Sequence, residues 1–259
     1  MDPNKTATLF ESADHKNLLF PEFGSEGDLA VQANQHMIMH GSEALLLDPG
    51  GHKVYSKVLA ETFAQLGRGR LASIVLSHQD PDIVAAINGW LTTTDAVAYA
   101  SALWTRFIPH FGLDHLMGER LKSVPDEGMW IDVGGAPIAL LPAHFLHSCG
   151  NLHVYDPTSK ILYTGDLGAS LGMPYREVPD FDQHLEYMAG FHRRYMAGKA
   201  VMKAWANMAR QLDVEIIAPQ HGALFRGEEM VRRFIDWCAD FECGIDTIGD
   251  TFKVPARAS

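Results

Sequence analysis

Histidine and aspartate residues follow several predicted strands of this chain, at the points where the strands end. A first group follows the apolar run 74–76, and single residues follow three later strands. The residues concerned are His78, Asp80, Asp82, His147, Asp166 and His221. Groups at the ends of several strands can converge on one edge of a sheet. Because crowded imidazoles and carboxylates need a cation to balance them, the pattern predicts a two-metal centre.

Each of these residues also has a local explanation. Asp80 precedes Pro81 and would be a good N-cap for a helix that begins there. Asp166 follows a glycine and suits a turn, while His221 precedes a glycine and suits a loop with satisfied hydrogen bonds. For any one residue the local role is the more common one. Six such residues at successive strand ends favour the metal centre.

Other histidines are also candidates for positions near this centre. His144 lies three residues before His147, and the two rings would share a side if that loop were helical. His153 alternates with apolar neighbours in a predicted strand, which suits a position behind the ligands. Surface or packing roles are expected for the isolated histidines His15, His52, His110 and His115.

Hydrophobic periodicity predicts strands interleaved with helices. A β-hairpin is expected from the apolar runs 37–39 and 44–47, and further strands are expected at 74–76, 138–141, 152–155, 160–164 and 214–218. Helices are predicted over 54–66, 83–91, 184–212 and 228–241. This order is typical of an α/β or α+β layered domain with helices outside the sheets. We expect one domain over 1–259, with a loose arm at 1–28.

The composition argues against several classes of protein. A formal net charge of -11 disfavours nucleic acid and anionic membrane surfaces, because both attract clustered Lys and Arg. No apolar run approaches the roughly 18 residues of a spanning helix. The first 16 residues also lack the order of a signal peptide. Three cysteines without CxxC spacing disfavour a disulfide framework or a thiolate zinc site, so a cytoplasmic location is expected.

Four motifs around these residues resemble those of the metallo-β-lactamase superfamily. His78-x-Asp80-x-Asp82 is similar to the His-x-Glu-x-Asp-His motif of flavodiiron proteins and of stand-alone oxygen-binding di-iron proteins. The other motifs are Phe145-Leu146-His147, Tyr163-Thr164-Gly165-Asp166 and Ala218-Pro219-Gln220-His221-Gly222. The 19 positions from His147 to Asp166 and the segment 191–195 also resemble this family. The likeness extends from about residue 32 to residue 241.

This resemblance implies an αββα sandwich with the metals at one edge of two facing sheets. It implies a first metal bound by His78, Asp80, His147 and Asp166, and a second bound by Asp82, Asp166 and His221, so that Asp166 bridges the pair.

Two departures from the motif matter. Asp80 stands where hydrolytic members have histidine, which favours iron or manganese over zinc. Ile83 stands where the motif ends in histidine, so the second metal has one ligand fewer. Ile83 either leaves an open, apolar coordination position or packs its helix into the core. Ile83, His144 and His153 are therefore the candidates for contacts around the ligands.

The implied function is a non-heme di-iron protein that binds or senses O₂, reducing it to a metal-bound peroxide. The implied cofactor is two iron ions, with manganese or zinc as alternatives. Only 38 residues follow His221 and no glycine-rich phosphate loop is found, so neither FMN nor a flavodoxin domain is expected on this chain. An O₂ or NO reductase fed by a separate redox protein, and a zinc-dependent hydrolase, are the alternatives. A separate signalling or redox partner is expected, and analogy suggests a homodimer.

Overall fold

The computed structural model describes residues 1–23, 32–112, 115–249 and 251–257. A first sheet has seven strands, paired in chain order. They are β1 (Ala7–Glu11), β2 (His15–Leu19), β3 (His36–His40), β4 (Glu43–Leu47), β5 (Arg70–Val75), β6 (Val97–Ser101) and β7 (Leu121–Val124). Neighbours are antiparallel from β1 to β4 and parallel from β4 to β7. The predicted hairpin is confirmed as the pair β3 and β4.

A second sheet has six strands in the order β13-β12-β11-β10-β9-β8. They are β8 (Met129–Val133), β9 (Ala136–Pro142), β10 (Leu152–Asp156), β11 (Ile161–Tyr163), β12 (Ile216–Ala218) and β13 (Phe225–Arg226). All neighbours are antiparallel except β11 and β12, which are parallel. Because β11 and β12 run in the same direction, their carboxyl ends reach the same edge.

Six α-helices cover the sheets within the described residues. They are α1 (Tyr55–Leu66), α2 (Pro81–Val84), α3 (Ile87–Thr93), α4 (Phe181–Tyr195), α5 (Lys199–Ala209) and α6 (Glu228–Asp240). The helices predicted at 54–66 and 228–241 are confirmed as α1 and α6. Gly67 ends α1 with a φ of 56°, a left-handed value that suits glycine. None of the described helices has the length and hydropathy to cross a membrane.

Three clusters of apolar side chains divide the structure into four layers. Met37 on β3 faces the helices that cover the first sheet, and the next residue, Ile38, faces the second sheet. This alternation is the period of two that a strand buried on both faces requires. Trp90 of α3 lies in the cluster outside the first sheet, and Phe234 of α6 lies in the cluster outside the second. The predicted αββα sandwich is confirmed.

The expectation of a loose arm at 1–28 is wrong for most of its length. Residues 7–11 and 15–19 form β1 and β2, and Leu18 and Leu19 are buried on opposite faces of the first sheet. The short, mixed apolar pattern of these strands hid them in the sequence. Residues 24–28 of the predicted arm lie outside the described residues.

Two predicted helices are each divided in the structure. The helix predicted at 83–91 is α2 followed by α3, with Ala85 and Ala86 between them. No helix-breaking residue marks this division. The helix predicted at 184–212 is α4 followed by α5, and extended backbone at Met196 and Gly198 separates them. A side chain at Gly198 would come within 3.0 Å of Ile245, so Ile245 would have to shift to accommodate it.

Two buried histidines keep a neutral ring, because each uses a ring nitrogen as an acceptor. His192 Nε2 accepts from the Gly168 backbone N–H at 2.8 Å, and its Nδ1 donates to Met188 O at 2.9 Å. Trp205 Nε1 donates to His153 Nδ1 at 3.0 Å. Burial lowers the pKa of His192 to about 4 and that of His153 to about 3.

Because the pKa values of these histidines are lowered in the folded protein, we expect the protein to lose stability in acid. Between pH 6.5 and about 4 the unfolded chain binds a proton at His192 that the folded chain does not bind. The free energy of unfolding therefore decreases as the pH is lowered through this range. We expect His192→Gln to reduce the pH slope of this free energy between roughly pH 5 and 6 by about 1 kcal/mol per unit. Denaturant unfolding of the metal-free protein measures it. The matched variant of exposed His52, His52→Gln, should keep the native slope. Equal slopes in native protein and His192→Gln would contradict the assignment.

Candidate metal centre

The ends of four strands bring all six predicted ligands to one edge of the sandwich. The first sheet supplies three of them, because His78 follows β5, Asp80 directly precedes α2 and Asp82 lies in its first turn. The second sheet supplies the others: His147 lies between β9 and β10, Asp166 follows β11, and His221 follows β12. The site is therefore formed between the two sheets.

Four side chains form a tight group at the first predicted metal position. The Nε2 atoms of His78 and His147 lie 3.3 Å apart, and His147 Nε2 lies 3.1 Å from Asp166 Oδ2. Asp80 Oδ2 lies 3.5 Å from His147 Nε2 and 3.7 Å from His78 Nε2. One donor atom each from His78, His147 and Asp166 falls within 4.8 Å of the other two. Such spacing suits donors about 2 Å from a common ion.

The second predicted position has fewer donors. His221 Nε2 lies 3.3 Å from Asp82 Oδ2 and 3.4 Å from Asp166 Oδ1. Asp166 thus presents Oδ2 to the first group and Oδ1 to the second, which is the arrangement of a bridging carboxylate. Asp82 is the more open ligand, since 42% of its side chain is exposed against 6% for Asp166.

The charges at the site depend on one another. Burial alone would raise the pKa of Asp166, but the hydrogen bond from His147 and the charges of His78 and His221 lower it to about 2. Burial would lower the pKa of His221, but Asp82 and Asp166 raise it to about 9. Without a metal, the charge of the buried Asp166 carboxylate is therefore balanced by imidazoles such as that of His221.

The arrangement fits a metal pair. Asp166 Oδ1 is buried and has no hydrogen-bond partner among the described residues. Two imidazole nitrogens that face each other at 3.3 Å need either a shared proton or a cation between them. A pair of divalent cations would satisfy the free oxygen and both nitrogens. The assignment of the six side chains as ligands nevertheless remains a prediction.

Hydrogen bonds behind the ligands fix their orientation, and no motif in the sequence indicates these contacts. Ser77 Oγ lies 2.9 Å from His78 Nδ1, and the Ser77 backbone N–H donates to Asp48 Oδ1 at 2.8 Å. His221 Nδ1 donates to Gln32 O at 2.7 Å. Each contact at Nδ1 leaves Nε2 free to face the metal. Adjacency to a ligand could have suggested Ser77, but nothing in the sequence links Asp48 or Gln32 to the site.

The three candidates for contacts around the ligands have other roles. His144 Nδ1 donates to Cys149 O at 2.7 Å, away from the ligands, so His144 is not a rival of His147. His153 contacts Trp205 behind the second sheet. Ile83 is fully buried in the apolar cluster outside the first sheet, so it packs its helix into the core. Neither histidine replaces a predicted ligand.

Asp80 is the N-cap residue of α2 by position but not by contact. Its side chain makes no capping hydrogen bond, and its Oδ2 lies near His78 and His147 instead. The structure therefore favours the metal role of Asp80 over the local role.

A cavity of about 620 Å³ opens beside both predicted metal positions. Its apolar wall includes Leu171 and Phe191, and Tyr195 stacks on Phe191 with ring centroids 4.7 Å apart. Arg194 also lines the cavity. The segment 191–195, which carried part of the resemblance, thus lies on α4 directly beside the site.

Residues 31–222 match the model of the family described as "ODP family beta lactamase". This chain belongs to the ODP family. No curated protein matches the chain. A solved structure of the peroxy diiron species of the chemotaxis sensor ODP has 37% identity and a TM-score of 0.85, covering 96% of this chain and 100% of the other. The apo state of the chemotaxis sensor ODP from T. denticola has 36% identity and a TM-score of 0.84, covering 96% and 99%.

More distant structures share the fold of this ODP-family chain. The rubredoxin oxygen:oxidoreductase of Desulfovibrio gigas has 13% identity and a TM-score of 0.75, covering 90% of this chain and 61% of the other. A variant of the flavo di-iron protein from Thermotoga maritima has 16% identity and a TM-score of 0.73, covering 90% and 60%. The predicted resemblance to the metallo-β-lactamase superfamily and its di-iron members is confirmed.

The bridging position of Asp166 gives a testable prediction for this ODP-family chain. Asp166→Ala removes the one carboxylate that faces both predicted metals, so we expect bound metal to fall from two ions per chain to one or none. Metal analysis of anaerobically purified protein measures this. Asp95→Ala, at an exposed aspartate of α3's C-terminal loop, should retain both ions. Two ions retained in Asp166→Ala would refute the assignment.

Proposed function

We propose that this chain is a non-heme di-iron protein that binds O₂ and senses it. In this proposal the first iron is held by His78, Asp80, His147 and Asp166, and the second by Asp82, Asp166 and His221. When bound, the iron pair supplies the two electrons that reduce O₂ to the peroxide level.

The observation that carries the proposal is the donor set. Three carboxylates and three imidazoles converge within 3.1–3.8 Å contacts, and no cysteine lies among them. Carboxylate oxygens favour iron or manganese, whereas zinc is well served by imidazole and thiolate. ODP relatives of similar length, one of them captured as a peroxy diiron species, support iron over the alternatives.

The protein side chains have separate tasks at this site. Asp166 holds the two metals together, while Ser77 and the Gln32 carbonyl orient His78 and His221. The side chains of Leu171 and Phe191 give the cavity an apolar wall, which suits a small apolar gas.

A sensor requires a second protein to receive its signal, so we extend the proposal to a separate signalling partner. The chemotaxis relatives support this extension. A redox partner, a homodimer and competition by NO belong to the same proposal as analogies with flavodiiron proteins. The free cysteines Cys149, Cys238 and Cys243 support a reducing, cytoplasmic location.

The test is spectroscopic. Anaerobic protein loaded with two equivalents of Fe(II) and then exposed to air should develop a visible charge-transfer band that persists without reductant. Asp166→Ala should give no such band, because its metal pair is lost, and Asp95→Ala should give the native band.

Other outcomes favour other activities. Rapid bleaching of the band, with steady O₂ consumption under a reductant, would support a reductase fed by a separate redox protein. Turnover of a chromogenic ester or phosphodiester by the Zn(II)-loaded protein, without any band in the iron-loaded protein, would refute the di-iron proposal.

A further inference from the structure

Two glutamines directly precede predicted ligands in the chain, and each contacts a ligand carboxylate. Gln79 precedes Asp80, and its Nε2 donates to Asp80 Oδ1 at 3.1 Å. Gln220 precedes His221, and its Nε2 donates to Asp82 Oδ2 at 3.4 Å. Each of the two terminal carboxylates therefore has its own amide donor, one at the first metal position and one at the second.

The two amides differ at their carbonyl ends. Gln79 Oε1 accepts a hydrogen bond from Ser148 Oγ, so both ends of that amide are occupied. Gln220 is 2% exposed, yet its Oε1 has no hydrogen-bond partner among the described residues. A buried carbonyl oxygen in a native structure calls for a partner that is added when the site is filled. The nitrogen end of this amide lies against Asp82, so the amide borders the second metal position.

The backbone of Gln220 is held on both sides. Its N–H donates to Gly165 O at 2.7 Å, next to the bridging Asp166, and its carbonyl accepts from the Asn34 N–H at 2.5 Å. Asn34 Nδ2 also donates to Pro219 O at 3.0 Å and to Gly222 O at 2.9 Å. These two hydrogen bonds hold the loop that carries His221. The Gln220 side chain is therefore presented to Asp82 from a fixed point.

Asp82 is the ligand that most needs such support. It lies on the four-residue helix α2, 42% of its side chain is exposed, and its other close polar contact is His221 Nε2 at 3.3 Å. The neighbouring Ile83 is turned into the apolar core and offers no donor atom. The second metal position thus has three protein donors, and the least secured of them contacts Gln220.

We propose that Gln220 is the positioning residue of the second metal, an inference that rests on the proposed two-metal site. Its N–H holds the Asp82 carboxylate toward the ion. Its carbonyl, which has no partner among the described residues, would accept a hydrogen bond from a group that arrives with the ion. Gln220 acts on the metal through Asp82 and is not itself a ligand.

The test compares metal affinities of near-isosteric variants by anaerobic Fe(II) titration against a competing chelator. Methionine resembles glutamine in size but has neither N–H donor nor carbonyl. Removal of contacts behind ligands commonly weakens metal binding by about 10- to 100-fold, so we expect Gln220→Met to weaken the second ion by that factor and leave the first unchanged. Gln79→Met should weaken the first ion. Gln211→Met, at an exposed glutamine, should change neither.

The outcomes separate this inference from the proposed function. Native protein that binds fewer than two Fe(II) ions overturns the two-metal function itself. Native protein that binds two, with equal second-ion affinity in Gln220→Met, overturns only the role of Gln220. An equal loss of both ions in Gln220→Met shows a general structural effect and also overturns it.

A double-variant comparison tests whether Gln220 acts through Asp82. In an Asp82→Ala background the carboxylate is absent, so Gln220→Met should weaken the second ion by no more than about twofold further. A repeated loss of about tenfold or more in that background would make Gln220 a direct ligand and overturn the positioning role.

Discussion

A single buried carboxylate, Asp166, sets the constraint on which the rest of the site depends. It lies between imidazoles of His147 and His221 and is almost completely removed from water. Breaking a buried ion pair by removing one partner commonly costs about 3–5 kcal/mol, because an uncompensated charge remains. The Asp166 charge must therefore be balanced by protonated histidines or by cations. A metal pair balances it while leaving the imidazoles neutral, which is the form that binds metal.

The site lies between the two sheets, because each sheet supplies some of the predicted ligands. His78 and Asp80 come from the first sheet, and His147, Asp166 and His221 come from the second. The ligand distances therefore depend on how closely the sheets pack at this edge, and the apolar cluster between them fixes that spacing. A backbone hydrogen bond of 2.8 Å from the Leu152 N–H to Ser77 O joins the sheets directly beside the ligands. The packing of the sheets therefore determines the distances between the ligands. A shift of one sheet would disturb both the core between the sheets and the metal centre.

The sequence was sufficient for the parts of the structure that have a regular period or a fixed spacing. The hairpin at 37–47, α1 and α6, and the gathering of six polar residues at strand ends could be predicted in this way. It was insufficient where distant segments meet. The strands β1 and β2 have too few apolar residues to stand out, and they are stabilised by pairing: β1 pairs with β2, and β2 pairs with β3. The contacts of Asp48 and Gln32 with the site join residues far apart in the chain, and no local pattern encodes them. The division of α4 from α5 coincides with extended backbone at Met196 and Gly198, which the helical periodicity does not indicate.

The two halves of the site are supported unequally, and this bears on how O₂ would be handled. At the first position four donors are close together, and Gln79 is fixed at both ends by Asp80 and Ser148. At the second position Asp82 is exposed, and the residue that would complete the motif, Ile83, lies in the apolar core. If Asp82, Asp166 and His221 hold the second metal, as predicted, three side chains would leave more room for an added small molecule than the four at the first position. A rigid first site beside an open second one suits reversible occupation by a small gas better than it suits the rapid, repeated turnover of a larger substrate.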